Sequence, residues 1–363
     1  MGRVTSLGDL PLRDDLRGLT PYGAPQAPLA IALNVNENTH PVPDEVASDI
    51  LDDIAVALRE VNRYPDREFT ALREAFVEYL GHGLEIDQIW AGNGSNEVLQ
   101  HIMQAFAGPG RKVFGFAPTY SMYPLIAQGT GAQWVAGTRE SDYTITAEEA
   151  AAQVEQADPD VVILCTPNNP TGTPLGLDVI EAVYAATRGV VIVDEAYFEF
   201  APRDAVSALT LLEGRPRLAV SRTMSKAFAF AGARVGYLAA DPAFIDALRL
   251  VRLPYHLSAL TQAAAVAALR NSETMLGMVD DIVEQRDRIT ATLEALDYAP
   301  HESWSNFVLF GGVADPRATF EALYERGVLV RDVGIPNHLR VSAGTEAETT
   351  AFLEALASID SAS

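Results

Sequence analysis

Two short runs of β-branched residues constrain the fold of this chain most strongly. They are Val161–Cys165 and Val190–Val193, and each ends in polar or turn-forming residues. Four or five consecutive apolar residues of this kind are typical of strands that are buried on both faces of a parallel sheet. A helical pattern, Leu177–Thr187, lies between the two runs. The order strand, helix, strand therefore predicts a parallel sheet that is covered by helices.

The same alternation continues on both sides of these two runs. A second helical stretch lies at Glu97–Phe106, and four more segments have the composition of strands: Ile89–Ala91, Val113–Phe116, Leu218–Ser221 and Val235–Ala239. We therefore predict an α/β fold with a large domain over residues 40–250, built on a mostly parallel central sheet.

The two ends of the chain differ from this central part. Long helical patterns occupy residues 243–294, and two strand candidates follow, Phe307–Phe310 and Leu339–Ser342. Residues 251–363 are accordingly predicted to form an interdomain helix and a smaller α+β domain. Residues 1–39 contain prolines outside any helical pattern, which predicts an extended N-terminal arm.

Charge and composition exclude several classes of function. The chain has 26 Lys and Arg against 49 Asp and Glu, a formal net charge of −23, which would repel nucleic acid and anionic membranes. No apolar run approaches the roughly 20 residues of a membrane span. The only cysteine is Cys165, and the six histidines show no spacing typical of metal ligands. We therefore expect a cytoplasmic protein without a structural metal site.

Lysine is rare enough in this chain to single out one residue. Only Lys112 and Lys226 occur among the 26 basic residues. Arginine stays protonated, whereas a lysine can lose its proton and condense with a carbonyl. Lys112 is interpreted as a solvated charge at the start of a strand. Lys226 follows a predicted strand, in Thr223-Met-Ser-Lys226, and Arg234 lies eight residues later. A reactive lysine with hydroxyl groups and an arginine fits pyridoxal phosphate, which carries an aldehyde and a phosphate.

Two other segments at strand ends have side chains suited to such a cofactor, since ligands of open α/β sheets bind at the carboxyl ends of the strands. Asp194 directly follows the strand Val190–Val193 and could pair with a pyridinium nitrogen, while Tyr197 could donate to the ring's phenolic oxygen. Asn169 lies in a Pro- and Gly-containing turn after Val161–Cys165, where its amide can donate to a ring oxygen or to a substrate carboxylate.

The segment Gly92–Glu97 has the composition of an anion site at the N-terminus of a helix. Ser95 is expected to cap this helix and to bind a phosphate. The segment also partly resembles a dinucleotide fingerprint, so that a nucleotide-binding oxidoreductase remains an alternative, as does a ligand-binding module without catalysis. Tyr120, in Pro118-Thr-Tyr120, is a candidate for stacking on a flat cofactor ring.

These five segments, in this order, resemble the fold-type I pyridoxal-phosphate aminotransferases. More narrowly, the chain resembles the histidinol-phosphate aminotransferases of the actinobacterial type. The resemblance runs from about Leu10 to the last helix, and it is strongest in Leu16–Gly18, Tyr22–Gln26, Leu33–Asn38, Asn62–Asp66, Thr119–Met122, Leu253–Ser258 and Val328–Asp332.

The resemblance implies a role for each of these residues. Lys226 would bind the cofactor covalently and move the proton at the substrate's α-carbon. Asp194 would pair with the ring nitrogen, Tyr197 and Asn169 with the ring oxygen, and Tyr120 would stack on the ring. The phosphate would be held by Ser95, Asn96, Ser225 and Arg234, and by Tyr64 of the other subunit of a homodimer.

For the substrate, the resemblance implies an amino transfer between histidinol phosphate and 2-oxoglutarate, in histidine biosynthesis. Arg340 matches the arginine that receives glutamate's α-carboxylate in this superfamily. Arg331, with Tyr22 and Tyr255, is our hypothesis for the distal phosphate or γ-carboxylate. Aromatic amino-acid aminotransferases and threonine-phosphate decarboxylases have the same core motifs and remain alternatives.

Overall fold

The structure is a computed structural model that describes residues 6–18, 23 and 29–360. Its α-helices are α1 Asp44–Leu58, α2 Thr70–Leu80, α3 Ser95–Phe106, α4 Met122–Gly129, α5 Ala147–Ala157, α6 Leu177–Ala186, α7 Pro242–Arg249, α8 Ala259–Arg270, α9 Ser272–Ala295, α10 Pro316–Glu325 and α11 Glu346–Asp360. Short 3-10 turns occur at Leu7–Asp9, Asp14–Leu16, Ile86–Gln88, Phe198–Phe200, Ala208–Leu211 and Ala231–Ala233.

The strands form three sheets. They are β1 Ile31–Ala32, β2 Ile89–Gly92, β3 Lys112–Ala117, β4 Gln133–Thr138, β5 Val161–Cys165, β6 Val190–Asp194, β7 Leu218–Thr223, β8 Gly236–Ala240, β9 Ala299–Pro300, β10 Phe307–Gly311, β11 Val328–Leu329 and β12 Leu339–Ser342. The central sheet has seven strands in the order β2-β8-β7-β6-β5-β3-β4, and only β8 runs antiparallel to its neighbours. The predicted α/β fold with a mostly parallel sheet is therefore confirmed.

The middle of this sheet forms the core of the molecule. Every residue of β5, β6, β7 and β8 is buried, which agrees with their continuous apolar composition. Cys165 pairs in register with Asp194, and Asp194 pairs with Ser221. Since β5, β6 and β7 are parallel, the residues that follow them along the chain come together at one edge of the sheet.

A second, antiparallel sheet has the order β12-β10-β9, as the strand candidates near the C-terminus predict. β1 pairs in parallel with β11, so that the chain before residue 40 contacts the C-terminal part of the protein. One strand of the central sheet, β4, is absent from the sequence-based prediction because it is a partly exposed edge strand without a continuous apolar run. Among the described residues, no helix is long and apolar enough to cross a membrane.

Candidate active site

One cavity of about 410 Å³ lies at the carboxyl ends of the parallel strands. It brings together eleven of the residues that the sequence analysis singled out: Ser95, Asn96, Tyr120, Asn169, Asp194, Tyr197, Ser225, Lys226, Arg234, Arg331 and Arg340. These side chains come from segments more than 240 positions apart in the sequence. The topology of the sheet, rather than local sequence, therefore assembles the site.

Lys226 is the only lysine among the residues that line this cavity. Its Nζ donates to the carbonyl oxygen of Val35 at 3.0 Å and lies 6.0 Å from the centre of the Tyr197 ring. Burial, together with the positive charges of Arg340 and Arg234, lowers the pKa of Lys226 to about 8. Near pH 7 the amine of Lys226 is therefore unprotonated far more often than that of a free lysine, and the unprotonated form is the one that attacks a carbonyl.

Asp194 is the buried carboxyl group of the cavity. Its Oδ2 accepts a hydrogen bond from the Tyr123 hydroxyl at 2.7 Å, and its Oδ1 accepts one from the Ser221 hydroxyl at 3.1 Å. Burial raises the pKa of Asp194, and the two hydrogen bonds oppose that rise. No arginine or lysine of the described residues forms an ion pair with Asp194. A cationic ligand group beside this carboxyl would therefore favour its ionised form.

Asn169 and Tyr197 contact each other inside the cavity. The Asn169 amide nitrogen donates to the Tyr197 hydroxyl oxygen at 3.1 Å, and Asn169 Oδ1 accepts from Arg340 Nη1 at 2.6 Å. Arg340 is buried, and its Nη2 donates to the carbonyl oxygen of Asn34 at 3.0 Å. Because the guanidinium can only donate, it fixes which end of the Asn169 amide faces Tyr197.

The N-terminus of α3 contributes the anion-binding part of the cavity. Gly94 is the N-cap, with φ +84°, and Ser95 is the first residue of the helix, so the prediction that Ser95 is the cap is wrong. This left-handed φ favours glycine, and a Cβ on Gly94 would lie 2.4 Å from Arg234 Nη2, so that the guanidinium would have to move. The guanidinium of Arg234 thus lies against the first turn of α3, where backbone N–H groups have no partner within the helix.

The two remaining arginines of the cavity lie on neighbouring backbone segments. The N–H of Arg331 donates to the carbonyl oxygen of Arg340 at 2.9 Å, and the reverse bond has the same length. Both side chains line the cavity with Lys226. Two guanidinium groups in one cavity favour a ligand with two anionic groups.

Two of the three tyrosines that the sequence places at the site, Tyr64 and Tyr255, do not line this cavity. Tyr64 and Tyr255 stack on each other at the surface, with ring centres 4.5 Å apart and exposed fractions of 81% and 40%. Neither ring lines the cavity of its own chain. Tyr22 lies outside the described residues.

Sequence reasoning missed four features of the cavity. The segment 34–36 crosses it, with the Val35 carbonyl on Lys226 and the Asn36 amide on Tyr197. Tyr123 contacts Asp194, and Cys165, whose pKa burial raises to about 12, lines the wall beside both. A signal for Tyr123 does exist, since it lies three residues after Tyr120 and the two rings pack edge-to-face with their centres 5.4 Å apart.

The donors and acceptors of the cavity fit pyridoxal phosphate. The hydroxyl groups of Ser95 and Ser225 and the guanidinium of Arg234 line the cavity beside the N-terminus of α3, and all of these groups can donate hydrogen bonds. A phosphate group matches this cluster, an aldehyde matches the Lys226 amine, and a pyridinium matches the buried carboxyl of Asp194. The residues present therefore offer one suitable partner to each polar group of the cofactor.

Comparisons with known proteins agree with this geometry. The family described as aminotransferase class I and II matches residues 30–356. A histidinol-phosphate aminotransferase from Paenarthrobacter aurescens is 62% identical over 98% of this chain and 96% of its own length. One from Thermobifida fusca is 53% identical over 97% and 96%. The crystal structure of histidinol-phosphate aminotransferase from Sinorhizobium meliloti with pyridoxal-5'-phosphate has a TM-score of 0.87 and 26% identity, covering 97% of this chain and 98% of that chain.

Proposed function

This chain belongs to the class I and II aminotransferase family, and we propose that it transfers an amino group between histidinol phosphate and 2-oxoglutarate in histidine biosynthesis. The observation that supports this proposal most directly is the presence of Arg331 and Arg340 in one cavity with the amine of Lys226. The similar proteins that are named histidinol-phosphate aminotransferases support the same substrate. The aminotransferase family matches residues 30–356, which include the whole central sheet. It is therefore preferred to the nucleotide-binding oxidoreductases that Gly92–Glu97 also suggested.

Pyridoxal phosphate is the cofactor of this family, and when bound it withdraws electrons from the substrate's α-carbon. The amine of Lys226 would join the cofactor and would hold or return the proton at that carbon, since this amine is buried, has a pKa lowered to about 8 and is the only amine of the cavity. Asp194 would hold the ring nitrogen protonated. The other contacts are assigned as follows: Tyr120 stacks on the ring, Asn169 and Tyr197 bind its oxygen, and Ser95, Asn96, Ser225 and Arg234 bind the phosphate.

Both substrates carry an anionic group far from the reacting amine. Glutamate has a γ-carboxylate at this end, and histidinol phosphate has a phosphate. Glutamate in addition has an α-carboxylate, which we assign to the buried guanidinium of Arg340. The half-buried Arg331 then binds the distal phosphate or γ-carboxylate, and no carboxylate of the described residues forms an ion pair with it. One pocket can thus accept two chemically different donors.

The kinetics of Arg331→Ala test this assignment. We expect kcat/KM for histidinol phosphate to fall by about 10- to 100-fold, the size of one lost charged hydrogen-bonding contact. Arg317→Ala, which removes an exposed arginine on α10, is the matched control and should leave kcat/KM unchanged. Equal turnover of histidinol phosphate by Arg331→Ala and wild type would contradict the role of Arg331 but not the assignment of Lys226.

The choice of substrate has its own test. The purified enzyme is assayed with histidinol phosphate and with phenylalanine, each with 2-oxoglutarate as the acceptor. We expect kcat/KM to favour histidinol phosphate by about tenfold or more, because only that donor places a phosphate at Arg331. A preference for phenylalanine would identify an aromatic amino-acid aminotransferase instead.

We also propose that the enzyme is a homodimer with shared active sites. The stacked pair Tyr64–Tyr255 lies outside its own cavity, and several large apolar side chains of α1 and of the segments that lead to these two tyrosines are exposed. These are Leu51, Val56, Leu58, Val61, Leu250 and Leu253, each more than half exposed. A surface of this composition is typical of a subunit interface. It would present Tyr64 to the cofactor phosphate, and Tyr255 to the substrate, of the partner subunit.

Mixing two inactive variants tests this arrangement. Lys226→Ala keeps Tyr64, and Tyr64→Ala keeps Lys226. If each site combines Lys226 of one chain with Tyr64 of the other, random mixed dimers recover about a quarter of wild-type activity. Recovery that does not exceed the sum of the two separate variants would contradict shared sites.

We infer a cytoplasmic location for the enzyme. Its single cysteine, Cys165, is buried and unpaired, which suits a reducing compartment. Fractionation of the native cells, followed by detection of the chain with an antibody, would test this location.

A further inference from the structure

The hydroxyl group of Tyr197 receives two hydrogen bonds from amide groups. Asn36 Nδ2 donates to it at 2.9 Å, and Asn169 Nδ2 donates to it at 3.1 Å. All three side chains are buried. The Asn36 contact joins residues that are 161 positions apart in the sequence, and neither the motifs nor the proposed cofactor contacts account for it.

Neighbouring groups fix the orientation of both amides. Asn169 Oδ1 accepts from Arg340 Nη1 at 2.6 Å, so its nitrogen must face Tyr197. For Asn36, the hydroxyl of Ser342 accepts the Asn36 backbone N–H at 3.0 Å and donates its own hydrogen to Asn36 Oδ1 at 3.3 Å. The nitrogen of the Asn36 side chain therefore also faces Tyr197.

The backbone of Asn36 is held as firmly as its side chain. Its carbonyl oxygen accepts from Asn306 Nδ2 at 3.0 Å, and its φ of +57° lies in the left-handed region, which asparagine tolerates better than most residues. The segment that carries Asn36 also binds Lys226 through the carbonyl of Val35. These contacts place the Asn36 amide at a defined position beside the Tyr197 oxygen.

A phenolic hydroxyl has one hydrogen to donate, and its oxygen accepts from other donors. Because two amide N–H groups donate to the Tyr197 oxygen, the O–H bond of Tyr197 points in the one remaining direction. No acceptor of the described residues takes that hydrogen. Tyr197 lines the cavity, so the hydrogen is available to a ligand there.

We propose that Asn36 is a positioning residue that, together with Asn169, makes Tyr197 an obligate donor to the phenolic oxygen of the cofactor. This inference rests on the proposed contact between Tyr197 and the ring oxygen. A donor on that oxygen stabilises its negative charge and so weakens its hold on a neighbouring proton. The pH at which the visible absorbance of the bound cofactor titrates should therefore be lower when Tyr197 donates.

Replacement of Asn36 by aspartate reverses one of the two bonds. The carboxylate of Asn36→Asp cannot donate, so it accepts the Tyr197 hydrogen and turns it away from the cofactor. The new charge near Lys226 raises the titration pH as well. The variant is therefore measured in both the wild-type and the Tyr197→Phe background, since the direct effect of the charge is present in both and only the wild-type background contains the hydroxyl.

The readout is the visible spectrum of the holoenzyme as a function of pH, without substrate. Tyr197→Phe should raise the titration pH by about one to two units, the size of one hydrogen bond to a charged oxygen. Asn36→Asp should raise it by at least ~0.5 unit more in the wild-type background than in the Tyr197→Phe background. Asn38→Asp is the matched control, because its amide bonds the Ala227 carbonyl and His40 instead of Tyr197. It should give the same shift in both backgrounds.

A second variant acts without adding a charge. Ser342→Ala removes the hydroxyl that orients the Asn36 amide, and it should raise the titration pH by a smaller amount, again only where Tyr197 is present. If Tyr197→Phe shifts the titration but Asn36→Asp and Ser342→Ala shift it equally in both backgrounds, the inference is overturned and the proposed function stands. If Tyr197→Phe causes no shift, the proposed role of Tyr197 fails and the inference fails with it.

Discussion

Tyr123 is predicted to control the charge of Asp194, the carboxyl that we propose as the partner of the cofactor's ring nitrogen. Its hydroxyl donates to Asp194 Oδ2 at 2.7 Å, which is the shorter of the two side-chain hydrogen bonds on this carboxylate. Both residues are buried, so little water is available to replace the bond. Tyr123→Phe removes only the hydroxyl and keeps the ring that packs edge-to-face on Tyr120.

The size of the effect follows from these contacts. A hydrogen bond to a charged group contributes about 1.5–3 kcal/mol, and one pKa unit corresponds to about 1.4 kcal/mol. Burial has already raised the pKa of Asp194, and Tyr123→Phe should raise it by about one to two further units. Because only the ionised carboxylate pairs with a pyridinium, the affinity for pyridoxal phosphate should fall by about 10- to 100-fold at the acid end of the pH range.

The assay is a titration of the apoenzyme with pyridoxal phosphate between about pH 6 and 9. The loss of affinity in Tyr123→Phe should be largest at low pH and should shrink as pH rises above the new pKa of Asp194. Tyr324→Phe, at a partly exposed surface tyrosine, is the matched control and should bind like wild type. An unchanged affinity across this pH range in Tyr123→Phe would refute the role given to Asp194 and its hydrogen bonds.

Three further predictions concern the phosphate end, the reactive amine and a buried ion pair. Gly94→Ala places a Cβ 2.4 Å from the guanidinium of Arg234, whereas the control Gly110→Ala has a similar φ of +81° and no atom within 4 Å of its Cβ. Pyridoxal phosphate should therefore bind about tenfold more weakly to Gly94→Ala than to Gly110→Ala. Equal affinities of the two variants would count against a phosphate at this turn. The pKa of Lys226 is lowered from 10.5 to about 8, mainly by burial, so the protonated amine destabilises the folded apoenzyme below pH 8. At pH 7 the free energy of unfolding of Lys226→Met, measured with urea, should therefore exceed that of wild type by about 3 kcal/mol. This difference should shrink between about pH 8 and 10.5 and vanish at higher pH. A difference that is independent of pH would contradict the lowered pKa of Lys226. Arg222→Met leaves a buried carboxylate without its 2.8 Å partner and should cost about 3–5 kcal/mol of unfolding free energy. Arg203→Met breaks an exposed pair and should cost at most about 1 kcal/mol, and comparable losses in the two variants would be the contrary result.

The parts of the fold with strong apolar periodicity could be predicted from the sequence. β5 and β6 have continuous apolar, β-branched-rich runs that are typical of a buried parallel strand, and their predicted bounds agree with the structure to within one residue. β4 could not be predicted in this way, because an edge strand needs no continuous apolar run. The sequence favours Ser95 as the cap because serine is common at that position, whereas the left-handed φ of +84° at the cap favours Gly94.

Some residues of the candidate site could likewise be predicted from the sequence, and others could not. Lys226, Asp194 and Asn169 each follow a strand that the sequence identifies, so the sheet topology alone predicts that they meet. Asn36 reaches the same cavity from a segment without a strong periodic pattern, and its contact with Tyr197 spans 161 positions. Contacts of this kind depend on the packing of the whole chain, which no local pattern encodes. Tyr64 and Tyr255 differ again, since their proposed partner is a second chain.

The central claim of this account is that the ε-amine of Lys226 carries the chemistry. Reduction of the holoenzyme with borohydride, followed by peptide mass mapping, tests it most directly. We predict that the cofactor is fixed to the peptide that contains Lys226, and that Lys226→Arg gives no labelled peptide and no turnover of histidinol phosphate, since a guanidinium cannot condense with an aldehyde. Label on the peptide that contains Lys112, or native turnover by Lys226→Arg, would contradict the account.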